Sequence, residues 1–178
     1  MKLYVFPPST RVLGIVALKN HLALDCEIRS IDLGRGDQLT PEYLALNPNK
    51  KMPLAWKSAH WDAESVGMVA YEKTSKAVLG LGPPDPAFIA RGEQNFARFA
   101  AVLNTALRGK TWLIGEQLTI ADFSIGAQIP SAERMGLPVG KFSEILRWYE
   151  GLAALPGWRK ALATKDAAMA AWQAQRSG

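Results

Sequence analysis

Trp112-Leu113-Ile114-Gly115-Glu116-Gln117-Leu118-Thr119-Ile120-Ala121-Asp122-Phe123 is the stretch on which the fold turns. Within it, Thr119-Ile120-Ala121-Asp122 has the pattern of a helix that caps itself. A threonine at the N-cap accepts from the third helical N–H, and an acidic residue at that third position reaches back to the cap N–H. Aspartate stands here where glutamate or glutamine is commoner. The motif carries no chemistry. It marks one helix start and predicts a cost of about 1 kcal/mol or more when Asp122 is truncated.

Helices extend from this point in both directions. Downstream, Phe142, Ile145, Leu146, Trp148, Tyr149 and Leu152 fall on one helix, and Leu155-Pro156-Gly157-Trp158 turns the chain into a last one. Upstream, Asp85 caps and Pro86 opens a helix whose apolar face runs Ile89, Phe96, Phe99, Leu103, Leu107, with Gly109 ending it. Gly80-Leu81-Gly82-Pro83-Pro84 is a break. Before it, Lys57 to Leu79 reads largely as one helix, although Gly67 weakens it.

The first 55 residues have a different texture. Leu3 to Phe6 is a short apolar run stopped by Pro7-Pro8, consistent with a buried strand. Ser9 or Thr10 then caps a helix bearing Val12, Leu13, Ile15, Val16 and Leu18. Cys26 to Leu33 alternates up to Gly34-Arg35-Gly36 and predicts a second strand, parallel to the first in a right-handed βαβ unit. Thr40-Pro41-Glu42 opens a short helix that ends near Asn47-Pro48.

Composition narrows the function classes. The chain has 178 residues, 48% hydrophobic and 21% charged, as a globular protein with a real core should. The formal charge is +5, but Lys and Arg are scattered without a basic run or an aromatic-interleaved stripe, which argues against nucleic acid as partner. A mildly basic surface suits a small anion. The single cysteine, Cys26, builds neither a disulfide nor a zinc site, and His21 and His60 have no ligand-spaced neighbours, so no metal is expected. The N-terminal apolar run is too short for a signal peptide and no stretch reaches a membrane span, so a cytoplasmic protein is expected.

Three segments, in order, carry a resemblance to a known family. The Trp112–Phe123 stretch looks like the helix-capping signature of the C-terminal domain of glutathione transferases. Thr40-Pro41-Glu42-Tyr43-Leu44-Ala45-Leu46-Asn47-Pro48, followed by Lys51-Met52-Pro53, resembles that family's approach to its cis-proline loop. Leu155-Pro156-Gly157-Trp158 is similar to its C-terminal end. The resemblance implies an α/β plus all-α fold, with a truncated thioredoxin-like N-terminal domain over 1–55 and an all-helical domain over 56–178. It implies glutathione as co-substrate, a hydrophobic electrophile as second substrate, and a homodimer.

The resemblance also names residues. Ser9, with Thr10 as second choice, matches the hydroxyl that meets the glutathione sulfur at the first helix N-terminus; the same serine also reads as a plain helix cap. Pro53 matches the cis-proline, Met52 the backbone that pairs with the cysteinyl part, and Lys51 a cation for the glycyl carboxylate. An ordinary trans turn and a solvated lysine are the plain readings. Lys50 departs from the glycine that the family often shows there.

The chain is short for this family, and two alignments compete after Pro53. In the first, two strands and the helix that grips the γ-glutamyl group are missing, and His60 through Pro86 is the first helix of the helical domain with the linker after it. In the second, Glu64-Ser65 is that γ-glutamyl clamp, and the eleven positions from Pro53 to Glu64 hold two strands and a tight turn. Leu54 to Ala63 is a poor hairpin sequence, with Lys57-Ser58-Ala59 as weak turn chemistry, so helical texture favours the first. A chain that lost those elements is open to a second reading, a non-catalytic binding protein on the same scaffold. Trp56 and Trp61 are candidates for lining an apolar pocket.

Overall fold

The computed structural model describes residues 2–46 and 60–175. By contacts the chain divides into two compact units, Met1–Trp56 with Leu155–Gly178, and Lys57–Ala154. The second boundary falls within the helical half, because the last helix packs against the N-terminal segment.

In the first unit, strand β1 (Lys2–Val5) leads through Pro7-Pro8 into helix α1 (Thr10–His21), and strand β2 (Glu27–Ser30) returns beside β1. The pairing is parallel, with Lys2 opposite Glu27 and Val5 opposite Ser30, as the βαβ reading expects. The Ile31 N–H extends the ladder to the Val5 carbonyl at 2.7 Å before the chain turns at Asp32. All of β2 is exposed, and Arg29 pairs with Glu27 at 2.6 Å. Charges on that strand discourage a further strand from adding there. Cys26 is buried one residue ahead of β2. Helix α2 (Pro41–Leu46) starts behind Thr40, whose hydroxyl accepts the Tyr43 N–H at 3.4 Å, and Tyr43 sets its ring edge-on to Tyr4 at 5.9 Å.

The last helix (α9, Pro156–Ala174) lies along α1. Val12, Leu13, Val16 and Ala17 of α1 are buried, as are Trp158, Ala161 and Lys165 of α9. Contact begins at Gly157, where a Cβ would sit 2.6 Å from the His21 nitrogen. Only glycine permits two backbones that close.

The second unit is helical. Helix α3 (His60–Ala70) passes through a π-helical stretch, Tyr71–Ser75, into α4 (Lys76–Leu79), so His60 to Leu79 is one run, ended by Gly80 at φ 65°. Asp85 accepts from the Ala87 and Phe88 N–H groups at 2.9 and 3.3 Å and starts α5 (Pro86–Ala106). Gly92 lets α5 approach α3 closely: a Cβ there would lie 2.7 Å from Val69 Cγ2. Phe96, Ala100 and Leu103 of α5 are buried, and Leu107 follows them. Three shorter helices complete the unit: α6 (Ile120–Gly126), α7 (Ile129–Arg134) and α8 (Ser143–Ala153). Helix α8 has no cap of its own, and Asn104 supplies one by accepting from the Glu144 and Ile145 N–H groups at 2.9 and 3.3 Å.

The Asp122 carboxylate organises the join between α6 and α8. One oxygen accepts the Thr119 N–H at 2.8 Å and its hydroxyl at 3.0 Å, while the other accepts the Leu113 N–H and the Trp148 Nε1–H, both at 2.9 Å. The reciprocal half of the capping box, from Thr119 back to the N–H at position 122, is also present.

Candidate functional site

Ser9 stands where the strand-to-helix turn meets the start of α1. Its N–H donates to the Phe6 carbonyl at 2.9 Å, and its own carbonyl accepts the Val12 N–H at 3.1 Å. The backbone is extended there (φ −72°, ψ 128°), as an N-cap residue's should be. Its hydroxyl makes no capping hydrogen bond. A cap serine normally spends that oxygen on the N2 or N3 N–H; Ser9 leaves it unspent. The side chain is half-buried, and the first turn of α1 holds no acidic residue. The helix start therefore keeps its partial positive charge for an anion in front of it. Thr10, the first helical residue, is also half-buried and has an interaction of its own.

The other sequence-derived candidates fall elsewhere. Lys51, Met52 and Pro53, with the expected cis bond, lie outside the described residues, as does Trp56. His60 to Ala63, which a hairpin from Leu54 requires as strand, are helical. Ser65 is the sixth residue of α3 and is buried, with its carbonyl 3.3 Å from where a Cβ on Gly92 would sit. In a helix interior its N–H is committed to the helical ladder.

Charge distinguishes the two units. The first has 11 Lys and Arg against 6 Asp and Glu, and the second has 10 against 10, so the first carries the whole net charge of +5. A cleft of about 370 Å³ opens in the first unit at the far end of α1 from Ser9, lined by Lys19, Leu24, Pro156 and Lys160 among others. It is not a continuation of the Ser9 turn. Among the described residues no cluster of His, Cys, Asp or Glu has the arrangement of a metal site, and no helix is long and apolar enough to cross a membrane.

Sequence reading missed two features. One is Glu72, buried in the π-helical stretch, which accepts the Asp85 N–H and pairs with Lys76, both at 2.7 Å. The Lys76 ammonium, chiefly, holds this carboxyl below its ordinary value, and Glu72 in turn raises Lys76. The other is the ring contact of Phe6 with Trp172 of α9, at 6.2 Å and 80°. Trp172 sits on a stripe with Trp158, Ala161 and Lys165 that is visible in the sequence, but the stripe does not name its partner.

Two family models match the chain in tandem. Residues 1–65 match the glutathione S-transferase N-terminal domain, and residues 86–164 match the glutathione S-transferase C-terminal domain. The chain belongs to the glutathione transferase family. Its two halves are a small thioredoxin-like N-terminal domain and a helical C-terminal domain. Glutathione S-transferase D7 of Drosophila melanogaster is 26% identical over 200 residues, covering 91% of this chain and 88% of that protein. Since this chain supplies at most 178 of those 200 positions, the fly transferase has at least 22 that the chain lacks. FtsZ-localized protein A of Caulobacter vibrioides is 27% identical over 146 residues, covering 79% of this chain but 64% of that protein. Among solved structures, a glutathione transferase family member from Pseudomonas fluorescens with two glutathione bound superposes with a TM-score of 0.74 at 21% identity, covering 90% of this chain and 91% of that one. At that identity the likeness speaks for the fold.

Proposed function

We propose that this glutathione transferase family member binds glutathione at the N-terminus of α1 and transfers it to a hydrophobic electrophile. The observation that carries the reading is the Ser9 hydroxyl, placed at a helix start and not used to cap it. A free thiol titrates near about 8.5 and is mostly protonated at neutral pH. Lowering that value by about two units takes roughly 2.7 kcal/mol of preference for the thiolate. A hydrogen bond donated to a charged acceptor contributes about 1.5–3 kcal/mol, and the helix dipole about 0.3–1 kcal/mol. The two together meet the requirement. Ser9 Oγ–H donates to the sulfur, the thiol proton leaves to solvent, and the thiolate attacks the electrophilic carbon, forming the C–S bond as the bond to the leaving group breaks and that group departs to solvent with the electron pair. Thr10 is the second hydroxyl within the same turn. Lys51 is assigned to the glycyl carboxylate, and Met52, before a cis Pro53, to the backbone of the cysteinyl part. The positive balance of the first unit supports an anionic ligand there.

The γ-glutamyl clamp divides the observations. The N-terminal family match runs to residue 65 and so includes Glu64 and Ser65. Helix over His60–Ala70, with Ser65 buried beside α5, supports the reading in which the clamp-bearing strands and helix are missing. We assign Ser65 to packing and leave the tripeptide held by the α1 start and the 51–53 loop. Weakened glutathione affinity is the expected consequence. A homodimer in the cytoplasm fits this reading.

Isothermal titration with glutathione tests it. Binding in the millimolar range or tighter by the wild type, with Ser9→Ala losing conjugation of an aromatic electrophile far more than affinity, is the expected result. No heat at millimolar glutathione would retire the transferase reading. The similarity to FtsZ-localized protein A, whose name gives a location and no transferase activity, then favours the second reading, a non-catalytic interaction protein on the same scaffold.

A further inference from the structure

The last helix reaches the candidate catalytic turn from behind. It begins at the far end of α1, where Gly157 packs on Asn20 and His21 and the Asn20 amide donates to the Gly157 carbonyl at 3.4 Å. It ends beside the turn that precedes α1, where Trp172 sets its ring edge-on to Phe6. So α9 runs antiparallel to α1 over its whole length. Pro7 and Pro8 have no N–H to donate, so the turn is closed by the Ser9 N–H donated to the Phe6 carbonyl at 2.9 Å. Phe6 thus holds Ser9 through its carbonyl, while its ring rests on Trp172.

We infer that Trp172 is a positioning residue for Ser9: its indole fixes Phe6, and Phe6 fixes the Ser9 backbone and with it the direction of the hydroxyl. This rests on the reading of Ser9 as the thiolate donor. An edge-to-face ring pair has a preferred geometry and not merely a buried area. Removing the indole lets the Phe6 ring swing into the space left. Hydrogen bonding to a thiolate depends on where the donor sits, and a shift of about 1 Å at such a position can cost on the order of 100-fold in rate. The consequence falls on the thiolate more than on affinity, because on this reading the Ser9 hydroxyl meets only the sulfur, while the glycyl carboxylate and cysteinyl backbone are assigned to Lys51 and Met52.

The test compares wild type with Trp172→Ala, Trp172→Phe and Ser9→Ala by titrating the thiol of bound glutathione through its ultraviolet thiolate absorbance, alongside calorimetric Kd and thermal unfolding. Trp172→Ala should reduce the thiolate fraction at neutral pH by about 3- to 10-fold while Kd changes by less than about 3-fold. Trp172→Phe, which keeps an aromatic ring against Phe6, should titrate close to wild type even if its Tm falls. A wild-type thiol titration in Trp172→Ala overturns the inference. So does a loss in Trp172→Phe that equals the loss in the alanine variant, which would make the effect one of general loosening. If Trp172→Ala does not fold, Trp172→Leu replaces it, with the same two outcomes. Ser9→Ala separates the two claims. If it leaves the thiol unchanged, the Ser9 reading itself falls. If it raises the thiol pKa and Trp172→Ala does not, only the positioning role falls.

Discussion

Truncating Asp122 to alanine should destabilise the helical unit well beyond the ordinary worth of an N-cap. The side chain is fully buried and accepts four hydrogen bonds, two from Thr119 and one each from the Leu113 N–H and the Trp148 indole. A lost cap alone costs about 1 kcal/mol. The Trp148 side chain is also buried, so its N–H, left without an acceptor, adds about 1–3 kcal/mol. Thr119 and Leu113 are half-buried, and water recovers part of what their N–H groups lose. The sum is about 3–5 kcal/mol, which for a chain of this size lowers Tm by roughly 6–20 °C. Thermal unfolding followed by far-ultraviolet circular dichroism measures it. A double-mutant cycle with Trp148→Phe isolates the indole bond, and coupling of about 1 kcal/mol or more is expected. A loss below about 1 kcal/mol for Asp122→Ala would refute the idea that one carboxylate ties the α6 start, the 112–118 loop and α8 together.

Three further outcomes follow from particular contacts. Gly157→Ala should lower stability by about 2 kcal/mol or more, although alanine favours helix by about 1 kcal/mol, because the new Cβ meets the α1 backbone at 2.6 Å; an unchanged chemical-denaturation midpoint would contradict that. The Glu72–Lys76 pair should give Glu72→Gln a pH-dependent deficit. Glu72 is lowered from its ordinary 4.5, so its stabilisation is present above that value and fades as pH falls through its folded value. Lys76 is raised from 10.5, so its share is present below that value and fades as pH rises beyond it. Stability of the wild type relative to Glu72→Gln should thus be flat near neutrality and shrink in acid; a deficit that grows in acid would be wrong. Asn104→Ala, which uncaps α8 from a distance, should cost about 1–2 kcal/mol in the same measurement.

Much of this fold was legible because its signals are local. Thr119 and Asp122, Asp85 with Pro86, and Thr40 with Pro41 each announce a helix start through chemistry confined to four residues, and each start is where the sequence puts it. The parallel pairing of β1 with β2 followed from strand–helix–strand order alone. Strand ends were less legible: alternation continues to Leu33, whereas the ladder ends with the Ile31 N–H because Asp32 accepts from the Gly34 and Arg35 N–H groups and turns the chain. Helix α7 escaped notice because Gln128 before it makes no side-chain cap and it is only six residues long. The π-helical turn at Tyr71–Ser75 has no signature in residue type, since Glu72 looks like any surface glutamate until Lys76 and the Asp85 N–H enclose it.

The candidate site was legible only in part. Ser9 is placed by the Pro-Pro break before it, but that its hydroxyl is not spent on capping is a matter of rotamer and geometry. The role of α9 was hidden for a different reason. Periodicity shows that Trp158, Ala161 and Trp172 share a face; it does not say that the face meets α1 and Phe6, more than 130 positions away in sequence.

The most direct test of the central claim is the ionisation of glutathione on the protein, followed by thiolate absorbance across pH for the wild type and Ser9→Ala. A thiol titrating well below its free value of about 8.5 in the wild type, and returning most of the way in Ser9→Ala, is the predicted result. Identical titrations for the two proteins would contradict Ser9 as the group that holds the thiolate.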